Sequence, residues 1–217
     1  MDIVDVEQGS DEWKAERCGK VTASRIADMM AKTKSGWGAS RSNYRAELVI
    51  ERLTKSPAEK FTNAAMAWGT EKEPEARLIY ELMHDVEVRQ VGMIRHATIA
   101  YTLASPDGLV GSEGMIEIKC PQSNTHIDTL LSGTVPSKYL YQIAWQMACA
   151  GPQIEWTDFV SFDPRMPANM QMFVARVDRD NALIAELERE VPLFLAEVQD
   201  TVDKLVRRYG ATLEAAA

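Results

Sequence analysis

Apolar residues recur at two different spacings along this chain. Before about residue 85 they fall three and four apart, the period of an amphipathic helix. Tyr44, Leu48, Val49 and Leu53 predict a helix over 42–53, and Ala76, Ile79, Tyr80 and Met83 predict another over 71–83. Acids crowd the first turn of the second, where the helix dipole favours negative charge. Thr22-Ala23-Ser24 ahead of Arg25-Ile26-Ala27-Asp28-Met29-Met30 reads as a helix start capped by Thr22 or Ser24. The glycines and serines of 35–40 read as a flexible loop.

From Val86 the pattern alternates, which predicts strands over 86–91 and 99–103. Asp107-Gly108-Leu109-Val110 and Met115-Ile116-Glu117-Ile118-Lys119 flank the turn-rich Gly111-Ser112-Glu113-Gly114 and predict a hairpin. A helix over 138–150 and strands over 156–162 and 170–177 follow. The stretch 180–208 is amphipathic throughout, with Pro192 either opening a second helix or kinking a single one. The order predicts an α/β (α+β) fold, a mixed central β-sheet flanked by helices. It forms a single domain over 1–217: a helical part to about 85, the sheet and its helix over 86–177, and a terminal helix over 178–210.

Composition narrows the class. With 217 residues, 46% hydrophobic and 26% charged, the chain has the balance of a globular protein with a full core. No apolar run approaches the ~20 residues of a membrane span, and the acidic start Met1-Asp2-Ile3-Val4-Asp5 lacks the features of a leader peptide. Cys18, Cys120 and Cys149 are odd in number and far apart, which predicts neither a disulfide framework nor a zinc cluster. Cys120 and Cys149 read as packing residues. His84, His96 and His126 are scattered and read as surface or strand-edge positions. The expectation is a soluble, cytoplasmic protein.

The net charge of −8 argues against a polyanionic partner until its distribution is considered. Between Trp13 and Arg45 eight basic residues face two acidic ones, whereas from Asp178 onward five basic residues face nine acidic ones. The acidity lies largely in the tail.

Candidate chemistry concentrates in Ser105-Pro106-Asp107-Gly108 and Glu117-Ile118-Lys119. Residues two apart in a strand share a face, so Glu117 and Lys119 project together while Ile116, Ile118 and Cys120 face the opposite, buried side. If Asp107 lies on the adjacent hairpin strand, its carboxylate meets that of Glu117. Two converging carboxylates call for a cation, and hard oxygen ligands suit Mg²⁺ or Mn²⁺. A lysine beside them can orient water or neutralise charge developing on phosphorus. Taken alone, Glu-x-Lys is also an ordinary charge pattern on a strand, and Asp-Gly an ordinary turn.

An ordered series extends over most of the chain: Val6-Glu7-Gln8-Gly9 with Trp13, Arg17-Cys18-Gly19, Val21-Thr22-Ala23-Ser24 and Ala67-Trp68-Gly69 with Glu73. It continues through Ser105-Pro106-Asp107-Gly108, Glu117-Ile118-Lys119-Cys120-Pro121, Tyr139-Leu140-Tyr141-Gln142 and Asp163-Pro164-Arg165-Met166. This series resembles the phage lambda exonuclease type of alkaline nuclease, the YqaJ-like viral recombinases of the PD-(D/E)xK nuclease superfamily. The resemblance implies a restriction-endonuclease-like core and a metal-dependent 5′-to-3′ exonuclease of duplex DNA, which leaves 3′ single strands for recombination by annealing.

It further implies that Asp107, Glu117 and the backbone carbonyl of Ile118 hold Mg²⁺ (two ions, with Mn²⁺ an alternative) and that Lys119 positions or activates the attacking water. Glu73 would serve a second metal, and Gln142 would orient the nucleophile or a phosphate oxygen. Without the resemblance, Glu73 reads as a helix-dipole acid and Gln142 equally as a helix-surface amide. Arg17, Ser24 and Ser105 match a pocket for a terminal 5′-phosphate, which suits a guanidinium and hydroxyls at a helix start. Implied partners are duplex DNA ends, two further copies of the chain in a ring-shaped homotrimer, and a single-strand annealing protein; the implied setting is a bacterial or phage-infected cell. Of the tryptophans, Trp68, Trp145 and Trp156 read as core, while Trp37, beside Arg41 and Arg45, is a candidate DNA contact. The alternatives are a structure-selective or restriction-type endonuclease on the same core, and a non-catalytic DNA-end-binding recombination protein.

Overall fold

A hairpin and a parallel crossover set the architecture. The structure, a computed structural model, describes residues 1–34, 36–58 and 64–210. The elements run β1 (Asp2–Val4), α1 (Asp11–Arg17), β2 (Val21–Thr22), a 3₁₀ turn (Ala23–Arg25), α2 (Ile26–Met29), β3 (Lys32–Thr33), β4 (Gly36–Trp37), α3 (Ala39–Thr54) and α4 (Ala64–His84). Then come β5 (Val88–Arg89), β6 (Met93–Arg95), β7 (Thr102–Ala104), β8 (Gly108–Val110), β9 (Gly114–Lys119), α5 (Ser123–Ser132), α6 (Ser137–Ala150), β10 (Trp156–Phe162), a 3₁₀ turn (Ala168–Met170), β11 (Met172–Asp178) and α7 (Asn181–Tyr209).

The principal sheet has the order β11-β10-β9-β8-β5, with β9 and β10 parallel and the remaining pairs antiparallel. A second sheet, β1-β6-β7-β2, is also mixed, because β2 joins β7 in parallel. One face of the principal sheet (Ile116, Ile118, Val160, Phe162) packs on Ala76 and Tyr80 of α4, together with Cys120. Met115 and Phe159 face the other way, into the larger core built with Trp145 and Met147 of α6 and Leu187, Val191 and Phe194 of α7. The mixed sheet flanked by helices is therefore as the residue pattern predicts. Among the described residues no helix is long and apolar enough to cross a membrane.

Differences from the sequence reading have local causes. The loop expected over 35–40 is in part a hairpin: β3 pairs with β4, and α3 begins at Ala39; Ser35 lies outside the described residues. β7 starts only at Thr102 because Tyr101 takes a left-handed backbone conformation at φ 61°. α7 runs unbroken through Pro192, which faces solvent while Val191 and Phe194 on either side are buried. α5 carries no apolar stripe that a pattern could show, since its buried residues are His126 and Thr129. His126 is thus not a surface position: it is fully buried between the Ser161 hydroxyl and the Met170 carbonyl, 2.8 Å from each. His96 is likewise buried, stacked on Trp145 with ring centroids 5.1 Å apart.

Candidate active site

β9 outruns β8. Its residues pair with β10 as far as Lys119, opposite Ser161, but with β8 only as far as Ile116, opposite Gly108. Two residues further Pro106 would face Ile118. Proline has no N–H to offer the ladder, so pairing stops there. The Ile118 N–H is taken instead by the Asp107 carboxylate at 2.6 Å. The N–H and C=O of a strand residue point the same way, so the Ile118 carbonyl also turns into this gap. Pro106 is itself fixed: its carbonyl accepts from the Gln8 amide at 2.9 Å, and the same amide spans to the Val91 carbonyl at 2.8 Å. Gly108 is required by close approach, since a Cβ there would lie 2.2 Å from a methyl of Val88.

Glu117 projects from β9 toward α6 and is fully buried. Gln142 donates to its Oε1 at 2.5 Å and Gln146, one turn on, donates to its Oε2 at 2.6 Å. The Lys119 ammonium also contacts Glu117 and lies over the Tyr139 ring. Glu73, on α4, pairs with Arg77 one turn along the same helix.

The electrostatics are those of a site with too many anions. Burial pushes the Asp107 carboxyl well above its ordinary value, and neighbouring Glu117 and Glu73 push it further against the pull of Lys119. Burial raises Glu73 as well, opposed by Arg77 and Lys119. For Lys119 burial acts downward, but Glu117 and Asp107 outweigh it and hold the ammonium above its usual range. Among the described residues no three acidic, histidine or cysteine side chains form a closed metal cage. The donor set is an open one of two carboxylates and a backbone carbonyl. It fits a hard divalent ion that keeps part of its water shell, as Mg²⁺ does.

Ser105, two residues before Asp107, links this cluster to a group of basic side chains. Arg17 donates to the Ser105 hydroxyl at 3.3 Å and stacks on Trp13, 4.1 Å from its centroid. The Trp13 indole N–H also donates to Ser105, at 3.1 Å. With two donors on its oxygen, the hydroxyl has its own proton free to give. Arg17 lines a cavity of about 360 Å³ with Lys14, Lys20, Thr22 and Arg25. Glu47 and Glu51 line the same cavity; burial lowers the Arg17 guanidinium to about 10, against a smaller upward pull from Tyr44 and Glu51. Ser24 is exposed and joined to this wall through Thr22, their hydroxyls 3.4 Å apart.

The structure therefore brings Asp107, Glu117, Lys119, Glu73 and Gln142 to one place, with Arg17 and Ser105 beside it. The candidate DNA contacts meet one another around Glu197 of α7. Arg41 is 3% exposed, bonded to Glu197 at 2.7 Å and to the Met29 carbonyl at 2.9 Å, so it ties α3 to α7 rather than facing a ligand. Arg45 is half-buried and lies 3.6 Å from Glu197; Trp37 is exposed and covers Arg41. Gln146 was not singled out from the sequence. A glutamine within the apolar run Ile143-Ala144-Trp145-Gln146-Met147, one turn from Gln142, is the signal that marks it.

A mixed sheet between helices, with acids and a lysine gathered where a strand outruns its neighbour, defines a restriction-endonuclease-like core. The chain belongs to the YqaJ-like viral recombinase domain family, whose profile matches residues 12–153. It is similar to LHK-Exo, an alkaline exonuclease from Laribacter hongkongensis, at 50% identity, covering 93% of this chain and 98% of that one. The TM-score is 0.87 for the structure of LHK-Exo in complex with dAMP and 0.86 for a second structure of it. A phage related exonuclease from Haemophilus somnus 129PT shares the fold at 14% identity, with a TM-score of 0.66, covering 86% of this chain and 96% of that one. No curated protein matches the chain.

Proposed function

We propose that the chain is a divalent-metal-dependent deoxyribonuclease that degrades the 5′-ended strand of duplex DNA and leaves a 3′ single strand for annealing. The observation that carries this reading is the gathering of Asp107, Glu117 and Lys119 two residues from Ser105, which the Arg17 guanidinium also contacts. The 50% identity to an alkaline exonuclease supports it.

Asp107, Glu117 and the Ile118 carbonyl would hold Mg²⁺. Such an ion, when bound, polarises the scissile phosphate and makes water a better nucleophile. Gln142 and Gln146 each grip one oxygen of Glu117, which fixes the plane of that carboxylate. Lys119 donates toward the reacting phosphate and offsets the charge that grows on it. Glu73 keeps a carboxylate at the margin of the site, steadied by Arg77, where a second ion would be served. Arg17, with Ser105 and the nearby Ser24, takes the terminal 5′-phosphate. Because Ser105 and Asp107 are two residues apart in the chain, gripping the end sets which phosphodiester meets the carboxylates.

The test is digestion of linear duplex with 5′-phosphate or 5′-hydroxyl ends, with and without Mg²⁺. Wild type should require the metal and prefer the phosphorylated end. Arg17→Ala should lose that preference by about tenfold or more, the scale of a charge-assisted contact. Equal rates on both ends for wild type would reject the end-recognition reading, and cutting of closed circular duplex would replace the exonuclease with an endonuclease. The family relation also supports a ring-shaped homotrimer and an annealing-protein partner; sedimentation showing only monomer would remove the ring.

A further inference from the structure

Arg165 is held for contact with something outside the protein. It sits in the Asp163-Pro164-Arg165 turn beyond the end of β10, whose Ser161 pairs with Lys119 on the adjacent strand. Its guanidinium is fixed on three sides. Asp163 accepts from Nε at 2.7 Å and from one terminal nitrogen at 3.0 Å, and the Pro121 carbonyl accepts from that same nitrogen at 3.3 Å. The Trp68 ring lies beneath, 4.3 Å from the guanidinium carbon to the centroid. Asp163 cannot swing away. It is fully buried and also accepts from the Arg165 backbone N–H at 3.0 Å. Burial alone would raise its carboxyl, but hydrogen bonds from Arg165 and Ser123 outweigh that and hold it at about 2.

Three of the five guanidinium N–H groups are thus used. Among the described residues the other terminal nitrogen has no acceptor, and the side chain is 39% exposed. Two parallel donors therefore face solvent from a rigid plane. The plane lies close to the proposed site, because Pro121 follows Lys119 by two residues, a reach of at most about 7 Å. Trp68 stands on α4 five residues before Glu73.

The geometry points to Arg165 as a phosphodiester-binding subsite that grips the DNA strand one to a few nucleotides from the bond being cut. The inference rests on the placement of the active site at Asp107, Glu117 and Lys119. Asp163 neutralises the guanidinium, so recognition comes from the fixed fork and not from net charge. Lysine, a point charge without that fork, does not substitute for it.

The assay is affinity for a fluorescent linear duplex in chelator, alongside steady-state digestion with Mg²⁺ and thermal unfolding, for wild type, Arg165→Lys and Asp163→Asn. Both variants should weaken binding and raise KM by about tenfold, with kcat at saturating DNA nearly unchanged, the effect of one charge-assisted hydrogen bond. Wild-type protein supplies a second readout: duplex DNA should shield Arg165 from an arginine-specific dicarbonyl reagent. A folded Arg165→Lys with unaltered affinity and KM, or modification of Arg165 at the same rate with and without DNA, overturns the inference. Asp107→Asn run in parallel separates the two readings. Retained turnover in that variant sinks the active-site placement, whereas loss of turnover with an unaffected Arg165→Lys sinks only the subsite.

Discussion

At the scale of single residues the site is held together against its own electrostatics. Asp107 is half-buried beside the fully buried Glu117, with the Lys119 ammonium opposing their charge, so the ionised pair is a standing cost to the fold without a bound ion. Asp107→Asn keeps an oxygen for the Ile118 N–H and removes one charge. In chelator this variant should be more stable than wild type by about 1 kcal/mol, a melting temperature roughly 2–4 °C higher, while hydrolysis falls by about a hundredfold or more. Adding Mg²⁺ should raise the melting temperature of wild type by mass action and leave the variant nearly unmoved. Calorimetry in the two buffers decides it, and a variant that melts below wild type in chelator would contradict the picture of opposed charges. Glu117 and Lys119 were legible as a pair because a strand puts alternate side chains on one face. Their meeting with Glu73 was not, since nothing in the periodicity of α4 says which end of the sheet it crosses.

At the scale of elements, how clearly a segment showed in the sequence follows what it buries. β10 and α6 were readable because each carries a dense set of apolar residues, Phe159, Val160 and Phe162 in the one and Ile143, Ala144, Trp145 and Met147 in the other. α5 was not, because it buries a histidine and a threonine, and α1 was not, because none of its residues is buried. The amino-terminal third of α4 has no stripe, so only 71–83 was anticipated of a helix that starts at Ala64. The pairing of β8 with β9 depends on Gly108, whose missing side chain lets β5 approach from the other side. Gly108→Ala must displace Val88 and should lower stability by about 2–3 kcal/mol, roughly 5–10 °C in melting temperature. Because the same shift moves Asp107, activity should fall further than the loss of folded protein explains; proportional loss of the two would argue that the strand pair absorbs the change.

At the scale of the whole molecule, His96 ties three layers together, and its state sets part of the acid stability. Its Nδ1 accepts from the backbone N–H groups of Thr98 and Ile99, its Nε2 faces Glu188 of α7 at 3.3 Å, and its ring stacks on Trp145 of α6. Burial lowers its pKa below the ordinary 6.5, and Glu188 only partly compensates. The unfolded chain therefore binds a proton near pH 6.5 that the folded chain refuses. Stability from this group is full above that pH and declines as pH falls through 6.5 toward the folded value. Melting temperatures from pH 8 to 5 should show this decline in wild type and a shallower one in His96→Gln; parallel curves would assign the acid sensitivity elsewhere. The charge segregation visible along the chain also takes physical form at this scale. Acidic Glu197 of α7 reaches back to Arg41 and Arg45 of α3, so part of the basic amino-terminal region is spent on holding the tail rather than on a ligand.

Pro106 leaves an opening at the proposed site by subtraction. An amide at that position would let the two strands zip one rung further and cap the Ile118 carbonyl from within, closing the socket with the protein's own backbone. The vacancy therefore depends on a ring closed onto a nitrogen, and neither a longer loop nor a bulkier side chain would replace it. Pro106→Ala should leave a well-folded and slightly better-knit sheet whose hunger for a divalent ion has faded, a loss to be seen as a weaker Mg²⁺ dependence of its melting temperature.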